Sequence, residues 1–312
     1  MLSGALRLAG RLRETATRAP WWLVPAVLAS AYVNSVASVI ISIVSHRMRE
    51  RRLASHRPAS IILVRHGESL GNTGEEAYSH TPDPLIPLTD SGVRQAELLG
   101  EKLREKLAGR KACVYVSPYE RSRRTADIAM RGLRHQVVKW SEDVRLREQE
   151  FAGGFQNTKL PRAERRQYSR FFFRFPGGES GADCFDRVSL FLESLHRDFN
   201  NRNMSEDVVV IFSHGLLCRL FVMRWFHWSH EKFEETDNLP NCGMVELRRT
   251  RVGDHEEYVL TEESLNILFK SHGKREPVVL DKTPSMRHRG GSLFEFDEAS
   301  STSPPPPLWA HG

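Results

Sequence analysis

Ile61-Ile62-Leu63-Val64-Arg65-His66-Gly67-Glu68-Ser69 is an apolar run that ends abruptly in arginine, histidine and glycine. A run of this length bounded by turn-type residues reads as a buried strand, and α/β sheets bind ligands beyond the carboxyl ends of their strands. Chemistry is therefore expected at Arg65 and His66. A neutral histidine is nucleophilic, an adjacent arginine can hold a phosphate through two hydrogen bonds, and Gly67 lets the backbone approach closely. Together they suggest phosphoryl transfer to His66; a strand end with a satisfied histidine and a solvated arginine is the competing reading of this stretch taken alone.

Working outward, further strands are expected at Cys113 to Val116, Val137 to Trp140, Val208 to Phe212 and Met244 to Leu247, with helices between most of them. Thr89 or Asp90 can cap a helix with Val93, Ala96, Leu99 and Leu103 on one face, and Asp183 begins an amphipathic stretch through Phe185, Val188, Phe191, Leu192 and Leu195. Strands alternating with helices imply a layered α/β fold. Three segments repeat the chemical logic of the first. Ser117-Pro118-Tyr119-Glu120-Arg121 follows a strand and opens a helix, which puts Arg121 near a positive helix end where anions bind. Val208 to Phe212 runs into Ser213-His214-Gly215, a second apolar strand ending in histidine and glycine. Leu146-Arg147-Glu148-Gln149-Glu150-Phe151 offers carboxylates in a loop.

With LVRHGES, the following Asn72, Leu88-Thr89-Asp90-Ser91-Gly92, SPYERSRRTA, LREQEF and SHG in this order, the chain resembles the histidine phosphatase superfamily, also called phosphoglycerate mutase-like, over roughly residues 60 to 260. Pro82-Asp83-Pro84 and Phe175-Pro176-Gly177-Gly178-Glu179-Ser180 bring it closest to the plant and fungal mutase-like phosphatases. The resemblance implies a three-layer α/β/α sandwich with a mostly parallel central sheet. It makes His66 the nucleophile that becomes phosphohistidine and Glu148 the general acid and base. Arg65, Arg121 and His214 would bind phosphoryl oxygens, with Asn72 assisting and Gly67 in the phosphate loop. Phosphoryl transfer spreads charge over the equatorial oxygens, so cationic donors supply most of its stabilisation. No metal and no cofactor is expected. Glu150 and Glu179 are the rival acids to Glu148, and His227 and His230 have a metal-compatible spacing but are read as core or surface histidines.

The chain has 312 residues, enough for one large domain with appendages, and its net charge of +6 comes partly from arginines outside that domain. No RNA-binding motif accompanies them, so a nucleic-acid partner is not expected. The 4 cysteines form no CxxC pair and read as buried thiols in a reducing compartment. Residues 1–18 are basic and resemble a mitochondrial import segment, and residues 19–45 carry no charge and are long enough for a single membrane-spanning helix, flanked by Trp21 and Trp22. A membrane protein, with a mitochondrial membrane as one location, is the expectation; a secretory signal is the rival reading, disfavoured because the apolar run continues past Ala31. Ala26, Ser30, Asn34, Ser38 and Ser42 form a small, polar stripe through which the helix could pair with a second copy, or which merely reflects a weakly apolar span. Residues 46–58 form a basic linker, 59–270 the catalytic domain and 271–312 a Pro/Ser-rich tail expected to be disordered.

Residues 72 to 87 and 151 to 181 are the expected substrate-facing loops. The second carries Lys159, Arg162, Arg165, Arg166, Arg170 and Arg174 among aromatic residues: either a clamp for an acidic substrate or an amphipathic helix with solvated arginines, the reading favoured for most of them. Relative to the glycolytic mutases, the chain lacks the tryptophan before Asn72 and the asparagine-serine after the second histidine, where Leu216-Leu217 stands. The expected activity is therefore hydrolysis of a phosphorylated small molecule or phosphoprotein, ahead of a mutase and of a membrane-tethered phosphoprotein-binding scaffold.

Overall fold

The computed structural model describes residues 23–272 except 56, 75, 152–164, 166–167, 202–203, 205–206 and 253–254. The basic N-terminal segment, the tail beyond 272, and Lys159, Arg162 and Arg166 lie outside the described residues. Helix α1 spans Leu23–Ser55, and Pro25 sits in its first turn, where a missing N–H costs no helix bond. Its stretch Leu28–Ser45 is long and apolar enough to cross a membrane and is not buried by the described residues. Within it, Ser35 and Ser38 donate their hydroxyls to the carbonyls of Ala31 and Asn34, so these polar groups are satisfied inside the helix.

Six strands form one sheet: β1 Ser60–Arg65, β2 Ala112–Val116, β3 Val137–Glu142, β4 Val208–Ser213, β5 Met244–Val252 and β6 His255–Leu260, in the order β3-β2-β4-β1-β5-β6. The first four are mutually parallel, whereas β5 runs antiparallel to β1 and β6 antiparallel to β5. Side chains alternate across a strand, and in β1 both alternating sets are apolar. Ile61 and Leu63 pack with Val188, Phe191 and Phe221 on one face, while Ile62 and Val64 pack with Leu99, Leu103 and Ala126 on the other. A strand apolar on both faces needs a helical layer on each, which is the origin of the three layers.

One layer holds α2 Asp90–Leu107 and α3 Glu120–Ala129; the other holds α4 Gly181–Asn201 and α5 Gly215–Trp225. Thr89 caps α2 by accepting the Gly92 N–H at 3.0 Å, and Ala96, Leu99 and Leu103 face inward as its spacing predicts. Helix α4 starts earlier than expected because Ser180 and Asp183 cap each other's backbone N–H groups; Cys184 and Arg187 are buried, while Phe185 is only partly so. The expected strands are all present. Strand β6 and the outer half of β5 were not foreseen, because His255, Glu256, Glu257 and Arg248 to Arg251 do not read as a sheet; on the edge strand β6, Glu256 and Glu257 are exposed.

Candidate active site

Four neighbouring parallel strands deliver the candidate residues to one edge of the sheet. Strands β1 and β4 pair with Arg65 opposite Ser213, so His66 and His214 leave adjacent strand ends. The His66 N–H donates to the Ser213 carbonyl at 3.0 Å, and the two imidazoles meet edge to face with centroids 5.1 Å apart. Strand β2 runs into Ser117, Tyr119 and the first turn of α3, which carries Arg121. After β3, a short turn at Val144–Leu146, held by the Ser213 hydroxyl on the Leu146 carbonyl at 2.8 Å, leads to Glu148.

The Nδ1 of His66 lies 2.7 Å from the Gly67 carbonyl oxygen, which can only accept, so Nδ1 carries the proton. The lone pair of Nε2 is then free for attack. Burial, reinforced by the Arg121 and Arg65 cations, holds the His66 pKa well below the ordinary histidine value and keeps the ring neutral. His214 is fully buried and its pKa is depressed by the same burial and by Arg121. Its Nε2 meets the Ser117 hydroxyl at 2.8 Å, whereas its Nδ1 has no hydrogen-bond partner among the described residues and faces the Glu148 carboxylate at 3.7 Å. Tyr119 packs against the His214 ring, and burial and Asp83 push its phenol up to about 12.

Glu148, 17% exposed, accepts one hydrogen bond, from the Gln149 N–H at 2.9 Å; burial raises its pKa against the pull of Arg121. A carboxyl held toward its protonated form beside a neutral histidine is what acid-base chemistry at a leaving oxygen requires. The rivals are differently placed. Glu179 is engaged by Arg187 and Arg147 at 2.9 Å each; although burial works against it, the Arg187 hydrogen bonds and charge hold its carboxyl below the ordinary value. Glu150 is exposed.

Arg121 is 3% exposed and donates Nη1 to the Asp83 carbonyl at 2.7 Å, with an Asp83 carboxylate oxygen 2.8 Å away but off the N–H direction. Arg65 donates to the Leu239 carbonyl. Asn72 accepts at its side-chain oxygen from Ser69 and, at 2.9 Å, from Asn241, which leaves its NH2 group as the donor available to a ligand. Gly67 has a packing duty: a Cβ there would stand 2.7 Å from the Gly92 carbonyl oxygen, and one on Gly92 2.0 Å from that of Glu68. A cavity of about 800 Å³ beside Asp237 and Glu262 has Arg65 on its wall but none of His66, Glu148 or His214.

His66, Glu148 and His214 each offer a ligand atom within 4.8 Å of the others, a spacing a metal ion could use. Arg65 and Arg121 act on both imidazoles as like charges and oppose a dication there, whereas a phosphoryl dianion is attracted by both. Of the basic residues in the second loop, Arg170 pairs with Glu234 and Arg174 with Asp183, while Arg165 lies over the Phe175 ring. Ser117, Asp83, Asn241 and Arg187 were not singled out from the sequence. Only Ser117 and Asp83 stood inside the quoted motifs, where a hydroxyl beside a strand end and an acid near Arg121 were legible as partners.

The histidine phosphatase superfamily (branch 1) profile matches residues 61–260. The chain is 46% identical over 227 residues to phosphoglycerate mutase-like protein AT74 of Arabidopsis thaliana, covering 67% of this chain and 71% of that one. It is 30% identical over 284 residues to the broad-range acid phosphatase DET1 of Saccharomyces cerevisiae, covering 61% and 85%. Among solved structures, mycobacterial hydrolase 1 superposes with a TM-score of 0.53 at 20% identity over 66% of this chain and 97% of that one.

Proposed function

The chain belongs to the histidine phosphatase superfamily, and from that premise we propose that it is a membrane-anchored phosphomonoesterase working through phosphohistidine at His66. The observation that carries the reading is a neutral, buried His66 with Nδ1 bonded to its own backbone, leaving Nε2 for attack, and with Glu148 and His214 offering polar atoms within 4.8 Å. Nε2 attacks phosphorus as the ester P–O bond breaks, and Glu148 gives its proton to the leaving alkoxide. The resulting carboxylate then takes a proton from water, whose oxygen attacks the phosphohistidine, releases phosphate and restores neutral His66. Arg65, Arg121, His214 Nδ1 and the Asn72 amide take the equatorial oxygens, so the chain's own donors carry the charge of both transition states without a metal.

Hydrolysis is favoured over isomerisation by Leu216-Leu217 after the second histidine-glycine and by the phosphatase among its relatives. The test uses the purified full chain in detergent with chelator, a panel of phosphomonoesters and 3-phosphoglycerate. Phosphate release abolished by His66→Ala is expected. Turnover unchanged by that substitution sinks the mechanism, activity lost to chelator sinks its metal independence, and isomerisation much faster than hydrolysis makes the protein a mutase.

The proposed anchor is α1: a helix whose apolar stretch is not buried by the described residues, with the Ser35 and Ser38 hydroxyls satisfied on its own backbone, suits a lipid environment. Retention of the full chain in the membrane pellet after alkaline carbonate extraction is expected; release into the supernatant refutes a spanning helix.

A further inference from the structure

Glu148 is held by almost nothing of its own. Among the described residues its carboxyl accepts a single hydrogen bond, from the adjacent Gln149 N–H, and its position is therefore set by the backbone of the turn that carries it. That backbone is gripped from α4. Arg187, 7% exposed, donates Nη1 to the carbonyls of Arg145 at 2.7 Å and Arg147 at 2.8 Å, and Nη2 to the carbonyl of Glu148 itself at 3.1 Å. The same guanidinium forms a two-pronged pair with Glu179, Nε to Oε1 at 3.0 Å and Nη2 to Oε2 at 2.9 Å.

Glu179 in turn closes the other side of the turn. Its carboxylate accepts from the Glu150 N–H at 3.0 Å and from Arg147 at 2.9 Å, its carbonyl accepts from the Gln149 side chain at 2.7 Å, and its N–H donates to the Glu150 carbonyl at 2.9 Å. Every residue from Arg147 to Glu150 is thus bonded to one member of the pair or the other. Neither member makes a hydrogen bond to the Glu148 carboxyl, to His66 or to His214. A buried two-pronged ion pair contributes little net stability against a well-packed apolar alternative, yet its geometry is stringent.

We infer that the Arg187–Glu179 pair is a positioning device for the general acid, fixing Glu148 at the leaving-group oxygen and thereby setting how well the enzyme cleaves esters of poorly acidic alcohols. This rests on the reading of Glu148 as proton donor. An acid displaced by even about 1 Å loses most of its advantage. The loss falls unevenly: an alkoxide of high pKa needs the proton to depart, whereas 4-nitrophenolate departs without it.

The experiment compares full-length wild type, Arg187→Lys and the isosteric Glu179→Gln, with Glu148→Gln as reference, on 4-nitrophenyl phosphate and on a simple alkyl phosphate. Each variant's fold is checked by circular dichroism. Both clamp variants are expected to lose about 10- to 100-fold in kcat/KM, which reports the step that expels the alcohol, on the alkyl ester and less than about 5-fold in kcat/KM on the aryl ester. Adding either to Glu148→Gln should cost nothing further on the alkyl ester. Equal losses on both esters, or losses that add to that of Glu148→Gln, overturn the proposal by making the pair a plain structural bond; so does collapse of both variants' circular dichroism. If Glu148→Gln itself shows no preference for the aryl ester, the proton-donor reading fails first, and the positioning claim falls with it while phospho-His66 stands.

Discussion

Ser117 Oγ stands 2.8 Å from Nε2 of His214, while the other nitrogen of that ring faces a Glu148 oxygen at 3.7 Å with no hydrogen bond. A lone pair on Nδ1 would confront the lone pairs of the carboxyl group. The Ser117 hydroxyl already accepts from the Tyr119 N–H at 3.4 Å, which frees its own proton for Nε2. The network therefore assigns the proton to Nδ1, and in the proposed mechanism this buried N–H is the donor to a phosphoryl oxygen.

Ser117→Ala removes the group that selects this tautomer. Phosphate inhibition and kcat/KM are expected to weaken about tenfold, the worth of one hydrogen bond of ~1.4 kcal/mol, with the melting temperature nearly unchanged. Nitrogen-15 spectra of the histidines report the cause directly: Nδ1 protonated in the wild type, a mixture in the variant. An unchanged tautomer with unchanged phosphate affinity contradicts the assignment.

The pH profile of kcat/KM follows from opposite shifts in the two reacting groups. In the proposed mechanism His66 is the neutral nucleophile and its pKa is depressed, so activity persists to well below the ordinary histidine value before protonation removes it. Glu148 acts as the acid and its pKa is raised, so activity falls as pH rises through that value. The profile is a bell whose acid limb lies below the ordinary histidine value and whose alkaline limb lies above the ordinary carboxylate value, and Glu148→Gln should abolish that alkaline limb on alkyl esters. A limb that survives the substitution assigns the acid elsewhere.

Stability carries the same signature with its own sign. Near pH 6.5 the unfolded chain begins to bind protons at His66 and His214 while the folded chain does not, so stability falls as pH drops below that point. Each histidine contributes a slope of up to about 1.4 kcal/mol per pH unit. Glu148, raised in the folded state, acts in the opposite direction: its contribution is full below about 4.5 and is lost as pH rises through its folded value. Urea unfolding at pH 7 and pH 5.5 should show a smaller fall for His214→Gln than for the wild type; an equal or larger fall rejects the buried neutral state.

Gly92→Ala tests the join between β1 and α2. The added carbon would stand 2.0 Å from the Glu68 carbonyl oxygen, and the obstacle is backbone, which cannot swing away. A loss of about 1–3 kcal/mol or more is expected by thermal melting, with kcat falling because the displaced segment follows directly on His66. Unchanged stability shows that the two segments separate more easily than their packing suggests.

The part of this fold that local pattern specifies was legible. The doubly apolar alternation of Ile61 to Val64 demanded helices on both sides, and the matching strand before His214 demanded a second one beside it. What stayed hidden depends on contacts far apart in the chain. Arg187 lies in the apolar stripe of α4 and reads there as a charge at the stripe's margin, because the carbonyls it serves are about 40 residues away. Asn241 bonds to Asn72 across 169 residues, in a loop with no recognisable pattern. Strand β6 was missed since its outward charges outweigh its inward Tyr258 and Leu260 in any periodicity.

The single helix α1 runs 33 residues, about 50 Å, against a hydrocarbon core of roughly 30 Å, and only residues 56–59 separate its end from β1. With its apolar stretch in a bilayer, as proposed, the excess emerges as a short stiff mast that joins the domain at the amino end of β1, with His66 beyond that strand's other end. Such an enzyme samples a layer a few nanometres deep over one leaflet. Which phosphate esters it meets is then decided by what that surface recruits, and its search for them runs in two dimensions.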